Sequence, residues 1–516
     1  MSNQETLLPS VLALHGRWRA GEKALVTDEE QLDWRTLDAR ANQVANGLIG
    51  AGCAKGSRVG VLMGNGAAMM EVLLGAIKAG VIVAPLNTGV ADDAIAAMLS
   101  DAGAGALFAT AAHVDRYAGG LAAPQLHVAV GARVAGWNEY AAWRDAQSAA
   151  APETVVERDD ICNIIYSSGT TGQPKGIAHS HGCRFDTAHD LAHALRYQSN
   201  ARTLIVTGLF SNISWASMLP TLLLGGAFHV RKGFDARDVL ETIERERITN
   251  ISMVPVQFQR LIEHPEFSRF DLSSLRAMMC CGAPLPIQIK EQLFERFSCG
   301  VIELYGSTEG VITTLAPEEA AGRMASVGKP LPGEDIAILG EDGHILPADQ
   351  TGEVIALSRI MMSGYWANPE ATAEALWSDG LGRAWLRSGD IGRLDAEGYL
   401  YITDRKKDMI ISGGQNIYPA DIEAVLLRHP QVADCAVFGV PSDKWGETPL
   451  ALVVLRDGAD DAGEGIRDWL NRQLGKQQRV HAVEVRPSLP RNANGKLLKR
   501  ELRAPYWTSP ADRRRA

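Results

Sequence analysis

Strand-like and helix-like segments alternate along the first two-thirds of this chain, and that alternation limits its possible folds more than any other feature. In "TLDARANQVANGLIGAGC", Leu37, Ala41, Val44 and Leu48 fall on one helical face, and Gly50 and Gly52 mark the end. "RVGVLM" then reads as a strand, "AAMMEVLLGAIKAG" as a helix and "VIVAPLN" as another strand. Apolar strands joined through helices predict parallel α/β sheets. The pattern continues through "TLIVTGLF", "LETIERERITNISMVP" and "SCGVIELYG".

After about residue 330 the texture changes to short strands with glycine and aspartate turns, as in "EDIAILGEDGHILPADQTGEVIAL". A charged segment, Asp404 to Asp408, follows. Beyond it "YPADIEAVLLRHP" reads as a helix with Pro419 near its first position and Asp421 and Glu423 in its first turn. The strands "CAVFGV" and "PLALVVL" come next, then a helix with Ile466, Trp469 and Leu470 on one face. The expected architecture is α/β. Residues 1–403 form a large N-terminal domain with a β-rich subdomain over about 331–403. Residues 404–407 are a linker and 408–516 a small α+β domain.

A net charge of −10 over 516 residues is mild and lacks the basic stripe of a nucleic-acid-binding protein. The basic "DRRRA" end reads as a solvated tail. The seven cysteines are odd in number and contain no C-x-x-C pair, which predicts free thiols rather than disulfides or a metal site. "MSNQETLLPS" lacks the basic and apolar regions of a signal peptide, and no uncharged apolar run reaches the ~18 residues of a membrane span. A cytoplasmic protein is expected, with no nucleic-acid partner and no membrane span.

Four short blocks carry the chemistry. "YSSGTTGQPKG", Tyr166 to Gly176, follows the apolar run "ICNIIY" and combines glycines, hydroxyls and Lys175. Glycines let backbone N–H groups approach a polyphosphate, and the lysine adds charge. It is not the G-x-x-x-x-G-K-[ST] loop, because Gly176 stands where that loop needs a magnesium-binding hydroxyl. In "ELYGSTEG", Tyr305 offers a flat face for a nucleobase and Glu309 a carboxylate for a phosphate-bound magnesium. Asp390 in "LRSGDIGRL" sits in a glycine-flanked turn, where a carboxylate can accept ribose hydroxyls. Lys496 lies in the glycine turn of "PRNANGKLLKRELR".

Taken in order, "YSSGTTGQPKG", "YGSTEG", "RSGDIG" with "DRKKDMIISGGQNIYPADIE", and "PRNANGK" resemble the signature motifs of the adenylate-forming (AMP-binding) superfamily. That superfamily comprises acyl-CoA synthetases, luciferases and peptide-synthetase adenylation domains. "LDWRTLDARANQVANGL" and "AIKAGVIVAPLN" resemble its N-terminal segments, so the likeness covers nearly the whole chain. It implies an acid–thiol ligase of the acyl-CoA synthetase branch. Such an enzyme makes acyl-AMP and pyrophosphate from a carboxylic acid and ATP, then transfers the acyl group to coenzyme A. It implies ATP, Mg2+ and coenzyme A as cofactor and co-substrates, and a monomer or homodimer.

The same resemblance places Ser167, Ser168, Gly169, Thr170, Thr171, Gly172 and Lys175 around the β- and γ-phosphates. Gly282, Ala283 and Pro284, with Tyr305, line the adenine pocket, and Glu303, Gly306 and Ser307 also belong to the ATP/AMP-binding set. Thr308 contacts the α-phosphate, Glu309 holds the metal, Asp390 takes the ribose and Arg405 assists there. Lys496 is the catalytic lysine of a mobile C-terminal lid, Lys407 its hinge, and Ser412, Gly413 and Gly414 face the coenzyme A tunnel.

The acyl pocket falls on Phe210, Ser211, Trp215, Val256, Gly282 and Gly306. Related synthetases often have a histidine where Ser211 stands. No aspartate occurs between Gly208 and Pro220, which disfavours an amino-acid substrate. An apolar medium-chain or aromatic, phenylpropanoid-like acid is expected. A standalone adenylation enzyme that loads a carrier-protein phosphopantetheine stays open as an alternative, and so does a luciferase-like oxygenase.

Overall fold

The computed structural model describes residues 6–117, 126–167, 175–412, 415–442, 444–460, 463–476, 478–492 and 495–507. By internal contacts the chain divides into two compact units. The first comprises Met1–Met324, Gly328–Asp335 and Ala356–Leu386; the second comprises Ala325–Val327, Ile336–Ile355 and Arg387–Ala516.

Two mixed sheets build the first unit. One runs, in spatial order, Lys329–Pro330, Ile312–Leu315, Ile302–Gly306, Ala277–Cys280, Asn250–Met253, Arg202–Ile205, Ala227–Val230, Lys23–Val26 and Gln31–Asp33. Its middle strands are parallel neighbours, as the alternation predicts. The other sheet has a parallel body in Arg58–Leu62, Ile82–Pro85, Ala106–Thr110 and Leu126–Val130. At one side it turns antiparallel where Ile161–Ser167 pairs with Lys175–Ser180. Both strands therefore point their ends at the glycine-rich segment between them.

The helices follow from the apolar spacing. Trp34–Gly50 starts at Asp33, whose side chain accepts the Thr36 N–H, and buries Leu37, Ala41, Val44 and Leu48. It packs on Ala67–Ala79, which is buried along almost its whole length and ends at Gly80 in the left-handed conformation. One hydrophobic cluster joins these helices to the strands beneath them and to Trp215, Met218 and Leu222.

In the second unit Val432–Ser442 and Gly446–Leu455 form a long antiparallel pair, with Ala482–Val485 parallel at one edge. Ile410–Ser412 meets Gly446 on the same edge as Ala482–Val485 and pairs with Gln415–Ile417. The helices Pro419–Leu426 and Glu464–Gln473 bury Ile422, Leu426, Ile466 and Leu470 against this sheet. All seven cysteines are free thiols. Among the described residues no helix is long and apolar enough to cross a membrane.

Candidate active site

In open α/β sheets, ligands bind beyond the carboxyl ends of the parallel strands. Here four parallel neighbours end in the segments that the sequence marks. Arg202–Ile205 leads to Phe210 and Ser211, Asn250–Met253 to Val254 and Val256, Ala277–Cys280 to Gly282–Pro284, and Ile302–Gly306 to Ser307–Glu309.

The Ser307–Gly310 turn is held on all sides. It closes a hairpin with Ile312–Leu315, in which the Ser307 N–H donates to Val311 at 3.0 Å and the Gly310 N–H to Ser307 at 3.3 Å. Gly310 has φ +125°, and a Cβ there would stand 2.5 Å from the Met361 Cα, so only glycine fits. The Met362 N–H donates to the Glu309 carbonyl, and His179 Nε2 donates to the Thr308 carbonyl, both at 2.8 Å. Tyr365 then joins this turn to the lysine of the glycine-rich segment. Its hydroxyl donates to Glu309 Oε1 at 3.0 Å, and Lys175 Nζ lies 4.9 Å from its ring centroid. Ser168, Gly169, Thr170, Thr171 and Gly172 lie outside the described residues, as does the side chain of Ser167.

Glu303 is not free to meet a ligand. It is buried and ion-paired with buried Lys290, and one of its carboxylate oxygens accepts the Leu285 N–H at 3.4 Å. Burial pushes its carboxyl up while Lys290 opposes the shift. Glu303 thus anchors the turn that carries Gly282, Ala283 and Pro284. Gly282 and Pro284 are exposed, while Ala283 and Tyr305 are half-buried.

In the second unit Asp390, Arg405 and Lys496 come together. Gly389 at φ +70° reverses the chain before Asp390, whose N–H donates to Ser388 Oγ at 3.0 Å. Asp390 faces Arg405 on the neighbouring strand, Nε to Oδ1 3.2 Å. The Lys496 turn is shaped by Asn492, whose Oδ1 accepts the Lys496 N–H at 2.9 Å, and by Arg491, bound to Asp434 at 2.7 and 2.9 Å. Burial and the cations of Arg405 and Lys407 push the Lys496 ammonium down to about 8, against Asp390 and Asp408. Lys407 is exposed on the turn after Leu400–Arg405. Ser412 pairs with Gln415 and Gly446, and Gly413 and Gly414 lie outside the described residues.

On the acyl side, Ser211 caps the helix Asn212–Leu224, its Oγ accepting the Ile213 N–H at 3.3 Å. Phe210 and Val256 are half-buried, Gly306 is exposed, and the Phe210 ring lies over Gly208. Trp215 is different. At 0% exposure its indole N–H donates to the Leu209 carbonyl, so it braces the chain just before Phe210 and presents no face to a ligand. The residues that do stand against Gly282 are Ile213 and Val254, at 3.0 and 3.4 Å from where a Cβ would sit.

The AMP-binding enzyme family matches residues 15–366, and the AMP-binding enzyme C-terminal domain matches residues 421–496. The chain belongs to the AMP-binding enzyme family. It is 36% identical over 475 residues to a feruloyl-CoA synthase of Amycolatopsis sp, covering 92% of this chain and 93% of that one. It is 34% identical over 487 residues to a long-chain-fatty-acid–CoA ligase of Mycobacterium tuberculosis, covering 92% and 93%. The fold overlays an anthranilate CoA ligase in complex with anthranoyl-AMP at TM-score 0.88 and 27% identity, over 98% of each chain. This is an AMP-forming acyl-CoA synthetase, and ATP and coenzyme A are its co-substrates.

Sequence reading missed Tyr365, Lys290 and His179, which lie in none of the four motif blocks.

Proposed function

We propose that this synthetase activates a flat apolar acid, aromatic and phenylpropanoid-like in preference to medium-chain aliphatic, in two steps at one site. The observation that carries the reading is the gathering of Asp390, Arg405 and Lys496. A carboxylate that accepts ribose hydroxyls then stands beside two cations that neutralise charge on the phosphate and the attacking acid. In the first step a substrate carboxylate oxygen bonds to the α-phosphorus while the bond to the bridging oxygen breaks, and pyrophosphate leaves. In the second the coenzyme A thiol attacks the acyl carbon and AMP leaves. Neither step needs covalent chemistry from the protein, so positioning and charge stabilisation carry the rate.

Lys175 and the segment Ser167–Gly172 clamp the leaving pyrophosphate. Thr308 meets the α-phosphate, and Gly282–Pro284, Tyr305, Gly306 and Ser307 flank the adenine, with Glu303 holding that turn from behind. Glu309 offers one carboxylate at the mouth of its turn, and no cluster of three or more ligating side chains occurs among the described residues. That donor set suits a magnesium ion arriving with its phosphates rather than a resident metal. Such an ion would offset phosphate charge. Lys407 is the hinge that exchanges Lys496 for the Ser412–Gly414 turn between the two half-reactions.

The aromatic preference is supported by the feruloyl-CoA synthase among the relatives. A pyrophosphate-release screen over aliphatic and aromatic acids, with and without coenzyme A, tests the reading. The expected result is fastest release and free thioester with a phenylpropanoid acid. Pyrophosphate release without any coenzyme A thioester would instead favour carrier-protein loading.

A further inference from the structure

Arg184 is buried at 2% exposure, and among the described residues none of its hydrogen-bond partners is a carboxylate. Its Nε donates to Asn163 Oδ1 at 2.7 Å and Nη1 to Asn212 Oδ1 at 2.9 Å, while Nη2 lies 3.2 Å from His179 Nδ1. The guanidinium stands 4.8 Å from the centroid of the fully buried Trp215 ring. A buried cation without an anionic partner is costly, and an apolar residue of similar volume is generally no worse for stability. What the arginine adds is geometry. Its planar fork has donors only and reaches acceptors in three directions.

Those acceptors sit on the segments that carry the site. Asn163 is in Ile161–Ser167, which enters the glycine-rich segment, and His179 is in Lys175–Ser180, which leaves it. Asn212 is the first residue of the acyl-side helix, next to its cap Ser211. Because Arg184 can only donate, His179 Nδ1 must accept, which puts the imidazole proton on Nε2. Nε2 in turn donates to the Thr308 carbonyl at 2.8 Å. Burial and the neighbouring Arg184 charge hold His179 neutral, as this chain of bonds requires.

We propose that Arg184 and His179 are positioning residues for adenylation, a buried relay that sets the Thr308 turn against the acyl-side helix. Thr308 and the start of the helix are thereby held in one register, so the acid and the α-phosphorus are presented to each other at a fixed distance. The inference rests on the proposed contact of Thr308 with the α-phosphate.

Steady-state pyrophosphate release, with ATP and acid varied separately, tests it in Arg184→Met, His179→Leu, His179→Gln, Thr308→Ala and the Arg184→Met/Thr308→Ala pair. Arg184→Met and His179→Leu should each lower kcat by about tenfold or more, the scale for a small misplacement of reacting groups. KM for ATP should move by less than about threefold and the melting temperature should not fall in step. His179→Gln, whose side-chain N–H can still donate to the Thr308 carbonyl, should keep most of the rate lost in His179→Leu. On the Thr308→Ala background, Arg184→Met should cost far less than on the parent, because residues acting through one another are not additive. Additive losses, equal losses in both His179 variants, or an unchanged kcat in a folded Arg184→Met would overturn the relay. If Arg184→Met does not fold, the two His179 variants decide the question alone. Full activity in Thr308→Ala would instead refute the role of Thr308 itself.

Discussion

Lys496 illustrates how one residue's environment sets its chemistry. Its ammonium shares a half-buried site with Arg405 and Lys407, and Asp390 and Asp408 offset only part of that repulsion. Lys496→Ala should lower the rate of pyrophosphate release by at least ~10²-fold, the scale for removing one preorganised charge-stabilising donor. Thioester formation from supplied acyl-adenylate should be nearly unaffected, and following coenzyme A consumption in the same variant checks that. In the proposed mechanism the charged form is the one that helps, and the ammonium's pKa is lowered to about 8. In the free enzyme, kcat/KM for adenylation should therefore fall as pH rises through about 8, a limb that a pH profile of the half-reaction reveals. Ser211 works differently. Its hydroxyl caps the acyl-side helix, so Ser211→Ala should cost about 1 kcal/mol in chemical denaturation, the usual loss for an N-cap.

Among the elements, the Ser307–Gly310 hairpin and the strand Ala227–Val230 respond to different stresses. Gly310→Ala would force a Cβ onto the Met361 backbone at a positive φ, so the turn carrying Thr308 and Glu309 must shift. Stability should fall by about 1–3 kcal/mol, and KM for ATP should rise, as thermal melts and initial rates would show. His229 lies inside its strand at 1% exposure, and burial pushes its imidazole down to about 4. The unfolded chain takes up that proton near pH 6.5, and the folded chain does not until about 4. Stability due to this group is therefore full above about pH 6.5 and is lost as pH falls towards 4. His229→Leu should flatten that decline by up to about 3 kcal/mol, which denaturant melts across the range will detect.

At the scale of the whole molecule, what can be read without coordinates is what the chain encodes locally. The helix Trp34–Gly50 and its buried face, the parallel strands and the four motif blocks are each contiguous, with their turns enforced by glycines such as Gly282, Gly310 and Gly389. What escapes such reading depends on tertiary neighbours. Glu303 reads as a nucleotide contact until Lys290, on another element, claims its carboxylate. Trp215 reads as a pocket wall until the fold buries it beneath Arg184. No spacing rule brings Tyr365 to Glu309 across 56 residues, or His179 to Thr308 across 129. The central claim, that both half-reactions pass through an acyl-adenylate, concerns the molecule entire and has a direct test. The acid that releases pyrophosphate fastest is supplied with 18O in both carboxylate oxygens, together with ATP and coenzyme A, and the products are weighed by mass spectrometry. The account predicts one 18O atom in each AMP and none in pyrophosphate. Thioester formed alongside unlabelled AMP, or alongside ADP and labelled phosphate, would contradict it.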